Sequence, residues 1–138
     1  MDARCDRRRP MAKRGKPKAG AIVWHDLTVP DAVALRDFYA SVVGWRHDAV
    51  DMGGYSDFTM MSPGSRVPAA GICHSRGVNA KLPPQWLVYV QVEDLDGSLK
   101  ACVRGGGQVV DGPRGMGEQR FAIVKDPAGA HLGLIGSR

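Results

Sequence analysis

The sequence predicts an α+β fold built from two tandem βαβββ modules. Size and composition allow it: 138 residues, 43% apolar and 24% charged, suit one ordinary globular domain. The order of strand-like and helix-like segments runs through the chain twice. The spacing also repeats, since Val29 to Gly44 and Val92 to Gly107 are both 15 residues, and Asp31 and Asp94 each follow the paired valine by two. An offset of 63 residues superposes the halves and pairs Trp24 with Leu87. Either half alone is too small to bury a core of its own. We therefore expect one body at residues 21–136, with modules at about 21–77 and 84–136.

Each element has its own signal. Ile22 to Val29 is rich in β-formers and alternates as a strand does. Pro30-Asp31 then opens a helix, since Pro suits a helix start and Asp suits its positive end. Along that helix Val33, Leu35, Phe38, Tyr39, Val42 and Val43 recur at helical spacing, and Gly44 stops it. GWRHDAV, YSDFTMMS and VPAAGICHS read as three short strands, separated by Met52-Gly53-Gly54 and Ser62-Pro63-Gly64-Ser65. QWLVYVQV is the strongest strand signal in the chain. Asp94 opens the second helix, which Gly97 weakens by about 1 kcal/mol relative to Ala. Gly105-Gly106-Gly107 follows a helix and lacks a Lys-Ser/Thr element, so it reads as a helix stop and not a phosphate loop. GQVVD, EQRFAIVK and AHLGLI complete the second set, with a turn at Asp126-Pro127-Ala128-Gly129. Arg114-Gly115-Met116-Gly117 reads as the loop before the seventh strand.

The net charge of +5 is unevenly placed. Residues 1–20 hold eight basic side chains against two acidic ones, whereas the rest holds 11 against 12. The body is therefore near neutral, which disfavours a folded DNA-binding face. The segment 1–20 lacks apolar periodicity and reads as a disordered basic tail, able at most to touch nucleic acid weakly. Met11 offers a second start site, so residues 1–10 are not assumed native. The tail has neither the apolar run of a secretory signal nor the amphipathic helix of a presequence. No stretch approaches 18 uninterrupted apolar residues, so no membrane span is expected. Three cysteines are too few and too scattered for a disulfide framework or a zinc finger, which favours the cytoplasm. Cys73 and Cys102 read as small buried hydrophobes.

Three stretches, WHDLTVPDAVALRDFYASVVGW, WLVYVQVEDLDGSL and RFAIVKDPAGAHLGLI, together resemble the vicinal oxygen chelate superfamily. This is the group of glyoxalases, bleomycin-resistance proteins and extradiol dioxygenases. The resemblance covers residues 21–136 and implies two βαβββ units whose mixed sheets curl around a cleft, often in a homodimer. Glyoxalase-type members bind a divalent metal there, with His, Gln or Glu ligands from the first, fourth, fifth and eighth strands. The metal acts as a Lewis acid on two neighbouring substrate oxygens.

Carried over position by position, the resemblance puts those ligand sites at Trp24, Leu87 and Gly133, and at Gly71 or Cys73 on the fourth strand. None offers a suitable donor apart from the Cys73 thiol, and no Asp or Glu occurs between Asp57 and Glu93. His25 is one residue off the first position, which turns it to the other sheet face with Leu27 and Val29, toward the helix. The expectation is a cleft with no cofactor, lined by Trp24, Asp26, Thr28, Leu87, Tyr89, Gln91, His131 and Gly133. Mixed apolar and polar lining of this kind suits a small, partly apolar or aromatic ligand. The alternative is a metal-dependent lyase or dioxygenase using an off-register site of His25, His74 and His131. Enzymatic turnover is left open by the sequence.

Overall fold

The computed structural model describes residues 17–137. They form two compact units, residues 25–86, and residues 17–24 with 87–137. The basic tail expected at 1–20 lies outside the described residues up to position 16. Residues 17–20 are structured: the Ala21 amide donates to the Lys18 carbonyl at 3.1 Å, and the Gly20 amide donates to the Gln91 carbonyl at 2.7 Å. The expected boundary at 21 is therefore a few residues late.

The first unit contains the end of β1 (Ile22–Val29), α1 (Ala32–Val43), β2 (Arg46–Asp51), β3 (Ser56–Met61) and β4 (Pro68–His74). Its sheet order is β2-β3-β4-β1. β1 and β4 are parallel and the other pairs antiparallel. Asp31 caps α1 by accepting the Ala34 amide at 3.0 Å, and Gly44 ends it with φ of 76°. The helix lays Leu35 and Tyr39 on a core of Leu27, Val29, Phe58, Met60 and Ile72. Trp45 and Trp86 extend that core, and the Trp86 indole N–H donates to the Tyr39 hydroxyl at 3.1 Å. Trp86 is half-buried, and this bond satisfies its polar edge. His25 departs from expectation. It shares its strand face with Leu27 and Val29 but is exposed, because the core under the helix begins at Leu27.

The second unit contains β5 (Trp86–Gln91) from Leu87 onward, α2 (Leu95–Arg104), β6 (Gln108–Met116), β7 (Gln119–Lys125) and β8 (His131–Ser137). Its order, β5-β8-β7-β6, repeats that of the first unit, again with one parallel pair, β5 and β8. The helix-facing core is Leu95, Leu99, Ala122, Val124 and Leu134. Asp94 caps α2 through the Gly97 amide at 3.0 Å. A Cβ on residue 97 would lie 2.6 Å from the Asp94 carboxylate, so this glycine makes room for the cap that starts its helix. Asp31 and Asp94 thus do the same work at equivalent positions.

One segment differs from its sequence reading. Arg114 to Met116 is not a loop but the end of β6, and Met116 is buried. Register shifts near Asp111 let the strand continue to Met116. A two-pronged Asp111–Arg114 ion pair holds the irregularity, with the guanidinium 5.1 Å from the Phe121 ring centroid. A short 3₁₀ turn, Gly77–Asn79, also lies between β4 and β5, with no counterpart in the sequence reading.

Replacing either cap, Asp31→Ala or Asp94→Ala, is expected to cost about 1 kcal/mol by loss of the amide hydrogen bond. Urea unfolding of each variant measures it, and a loss below about 0.3 kcal/mol at either position would contradict the equivalence.

Candidate functional site

Strand alternation sends every second side chain to the sheet face opposite the helix. In the first unit that face carries Asp26 and Thr28 on β1, Gly71 and Cys73 on β4, and Asp57 and Thr59 on β3. Asp26 and Thr59 flank Gly71 from its two neighbouring strands, and Thr28 lies opposite Cys73. Asp26 and Asp57 have no exposed surface, and Thr28 and Thr59 keep only 2% and 4%. Four polar side chains buried on one sheet face are costly unless they serve a purpose.

Asp57 has the best-defined surroundings. Its Oδ1 accepts the His74 amide at 2.7 Å and lies 3.3 Å from His74 Nδ1. Its Oδ2 is buried without a hydrogen-bond partner among the described residues, as is Thr28 Oγ1. Burial pushes the Asp57 carboxyl above the ordinary value of 3.8. The hydrogen bonds and charge of His74 oppose that rise, and the neighbouring Asp26 adds to it. Beyond this pair, the His74 ring meets the Tyr55 ring edge-on at 5.5 Å, and the Arg76 guanidinium lies 4.0 Å from the Tyr55 centroid.

In the second unit Leu87, Tyr89 and Gln91 are buried, while the intervening Val88 and Val90 are half-buried. The expected face assignment on β5 therefore matches the observed alternation. Tyr89 lies opposite Gly133, and a Cβ on residue 133 would overlap the Tyr89 ring. The bare backbone at Gly133 thus makes room for a neighbouring side chain. Gln91 accepts from the Gln119 amide group at 3.5 Å and borders a cavity of about 640 Å³, also lined by Lys18, Glu93 and Ser137. His131 is half-buried, and its Nδ1 lacks a partner among the described residues. Trp24 is buried, and so is its indole nitrogen, also without a partner among those residues.

The fold resemblance implies a divalent metal, and the donor chemistry here does not fit one. An indole, an isobutyl group and bare backbone stand at Trp24, Leu87 and Gly133. Among the described residues no three His, Cys, Asp or Glu side chains are grouped to hold an ion. The alternative set of His25, His74 and His131 is not assembled. His74 lies opposite Val29 on β1, four residues along from His25, or about 13 Å at strand spacing. Asp57, Tyr55 and Arg76 were not selected from sequence. Asp57 alternates with Thr59 on β3, which is a weak signal, and nothing local announces that His74 reaches it.

Comparison with known proteins agrees with this architecture. The family model described as glyoxalase/bleomycin resistance protein/dioxygenase superfamily matches residues 21–134. CFP32 of Mycobacterium tuberculosis, which carries the name of a glyoxylase, is 33% identical over 126 residues, 90% of this chain and 48% of its own length. The anthracycline biosynthesis protein DnrV of Streptomyces peucetius is 32% identical over 123 residues, 80% of this chain and 45% of its own. The chain therefore spans about half the length of these curated relatives. A superfamily structure from Vibrio splendidus superposes with a TM-score of 0.55 at 12% identity, covering 83% of this chain and 97% of that one. A methylmalonyl-CoA epimerase from Streptomyces coelicolor does so at 0.50 and 17%, covering 87% and 99%. At these identities the two structures speak for the fold alone.

The raised Asp57 carboxyl gives a pH test. A buried carboxyl that prefers its neutral form favours folding most at low pH, and that contribution is lost as pH rises through the raised value. Asp57→Asn keeps an oxygen for the His74 amide but cannot ionise. The melting temperature of the variant relative to wild type is therefore expected to climb as pH rises above 3.8, then level off. A difference that stays flat across the pH series would contradict it.

Proposed function

This chain belongs to the glyoxalase/bleomycin resistance protein/dioxygenase superfamily, and on that premise we propose that it binds a small, partly apolar or aromatic molecule without a metal ion. The observation that carries this reading is the set of residues at the expected ligand positions. Trp24 and Leu87 supply buried apolar side chains and Gly133 the room that the Tyr89 ring fills, and none supplies a side-chain donor suited to a divalent cation. Tyr89, Gln91 and His131 supply polar groups that can orient a ligand beside the apolar side chains of the second unit, and Asp26 and Thr28 supply such groups on β1 of the first. A relative named for anthracycline biosynthesis is in keeping with an aromatic ligand.

The reading of a metal-dependent lyase or dioxygenase has less support, since His25 is exposed and distant along its strand from His74. The proposal extends to a homodimer. Phe38, Val42 and Val43 on α1 are about half exposed or more, an unusual outer face for a helix of a self-sufficient unit. It also extends to a cytoplasmic setting, supported by the cysteine-poor composition. Among the described residues no helix is long and apolar enough to cross a membrane.

Two measurements test this. In a thermal-shift screen of small aromatic compounds, binders should raise the melting temperature equally with and without a chelator. Elemental analysis of gently purified protein should find less than about 0.1 metal per chain, given the tight binding of designed-for-metal sites. Stoichiometric metal, or stabilisation that chelator abolishes, would overturn the reading. For the assembly, light scattering should give twice the chain mass, with Phe38→Asp shifting it to the monomer; a monomeric wild type would remove that part.

A further inference from the structure

A second cluster in the first unit includes His74 but otherwise residues that no sequence signal selected, and it does not depend on whether a metal is present. Tyr55, Asp57, His74 and Arg76 meet where β3 begins and β4 ends. Asp57 is fully buried and fixes its neighbour through two contacts from Oδ1, one to the His74 amide and one to the imidazole Nδ1. Oδ1 already accepts the backbone amide, so a neutral ring that donates to the same oxygen does so from Nδ1 and leaves Nε2 its lone pair. The His74 side chain keeps 16% of its surface exposed, so that lone pair is within reach of solvent. Tyr55 is half-buried, with the Arg76 guanidinium over one face of its ring and the His74 ring perpendicular to it. Arg76 is exposed, and none of its contacts among the described residues is to a carboxylate.

We propose that Tyr55, His74 and Arg76, with Asp57 as the positioning residue, form a binding site for a small aromatic hydroxy-carboxylate. Arg76 pairs with the carboxylate, since a planar guanidinium matches its two oxygens. Tyr55 supplies stacking surface, and His74 Nε2 accepts the ligand's hydroxyl hydrogen. Both outer members touch the same tyrosine ring, which sets a span on the scale of one benzene ring with a substituent at each end. The groups facing the imidazole are Asp57, Tyr55 and, through Asp57, Asp26, with Arg76 across the tyrosine.

The test uses the full chain labelled with ¹⁵N, with 4-hydroxybenzoate as the probe and benzoate as its hydroxyl-free counterpart. The His74 ring signals are assigned by their loss in His74→Gln, a change that spares the backbone bond to Asp57. They are expected to show the Nδ1–H tautomer, and Asp57→Ala is expected to convert it to Nε2–H. Titration with 4-hydroxybenzoate should move the His74 signals to saturation, with benzoate binding several-fold more weakly. Arg76→Gln should weaken both compounds about tenfold, the loss of one charge-assisted contact. An Nε2–H tautomer in the wild type overturns the proposal. So does equal binding of the two compounds, unmoved His74 signals, or undiminished binding in Arg76→Gln. Should Asp57→Ala fail to fold, the exposed Arg76 variant and the two-compound comparison still decide it. Metal content plays no part in any of these outcomes, so this site and the metal-free reading can fail separately.

Discussion

In each unit a single parallel strand pair, β1 with β4 and β5 with β8, decides where every other side chain goes. Parallel strands need a crossover, and the helix that makes it must cover one sheet face. Alternation then divides β1 cleanly: Leu27 and Val29 lie under the helix, and Asp26 and Thr28 face the other way. A shift of one residue would bury His25 and Leu27 where Asp26 and Thr28 now lie, so the register carries both the core and the chemistry.

The repeat keeps this backbone logic and changes the side chains on it. Asp26 and Tyr89 stand at the same place in their units, each beside a glycine of the last strand, Gly71 or Gly133. The first unit fills the position with a carboxylate, in a polar neighbourhood of Asp57 and two threonines. The second fills it with a phenol ring seated on bare backbone. One unit therefore offers hydrogen-bonding groups and the other offers apolar surface, although the two share strand order and helix caps.

Much of the fold was legible because its signals are local. Asp31, Gly44 and Asp94 mark helix ends by their own chemistry, and Ile22 to Val29 reads as a strand from β-branched content and alternation. The reading broke where distant contacts override local composition. Gly115 beside Arg114 and Met116 suggests a loop, yet the strand persists because Arg114 reaches back to Asp111 and over Phe121. The site was legible only in part for the same reason. Alternation located Asp26, Thr28, Tyr89 and Gln91 on their strand faces. The pairing of Asp57 with His74, 17 residues apart, arises from the turn between β3 and β4 and leaves no local trace. His25 has the strand face that alternation assigns but lies outside the helix-covered core, since alternation gives a direction and not how far the covering helix extends.

Tyr89 and Gly133 illustrate how such packing shapes descent. Because any side chain at 133 collides with the ring, the glycine is frozen for as long as the tyrosine persists. The reverse does not hold, since a smaller residue can enter at 89 first and free its neighbour afterwards. Lineages leaving this arrangement must therefore pass through it in one order, with position 89 acting as the ratchet and 133 as the follower.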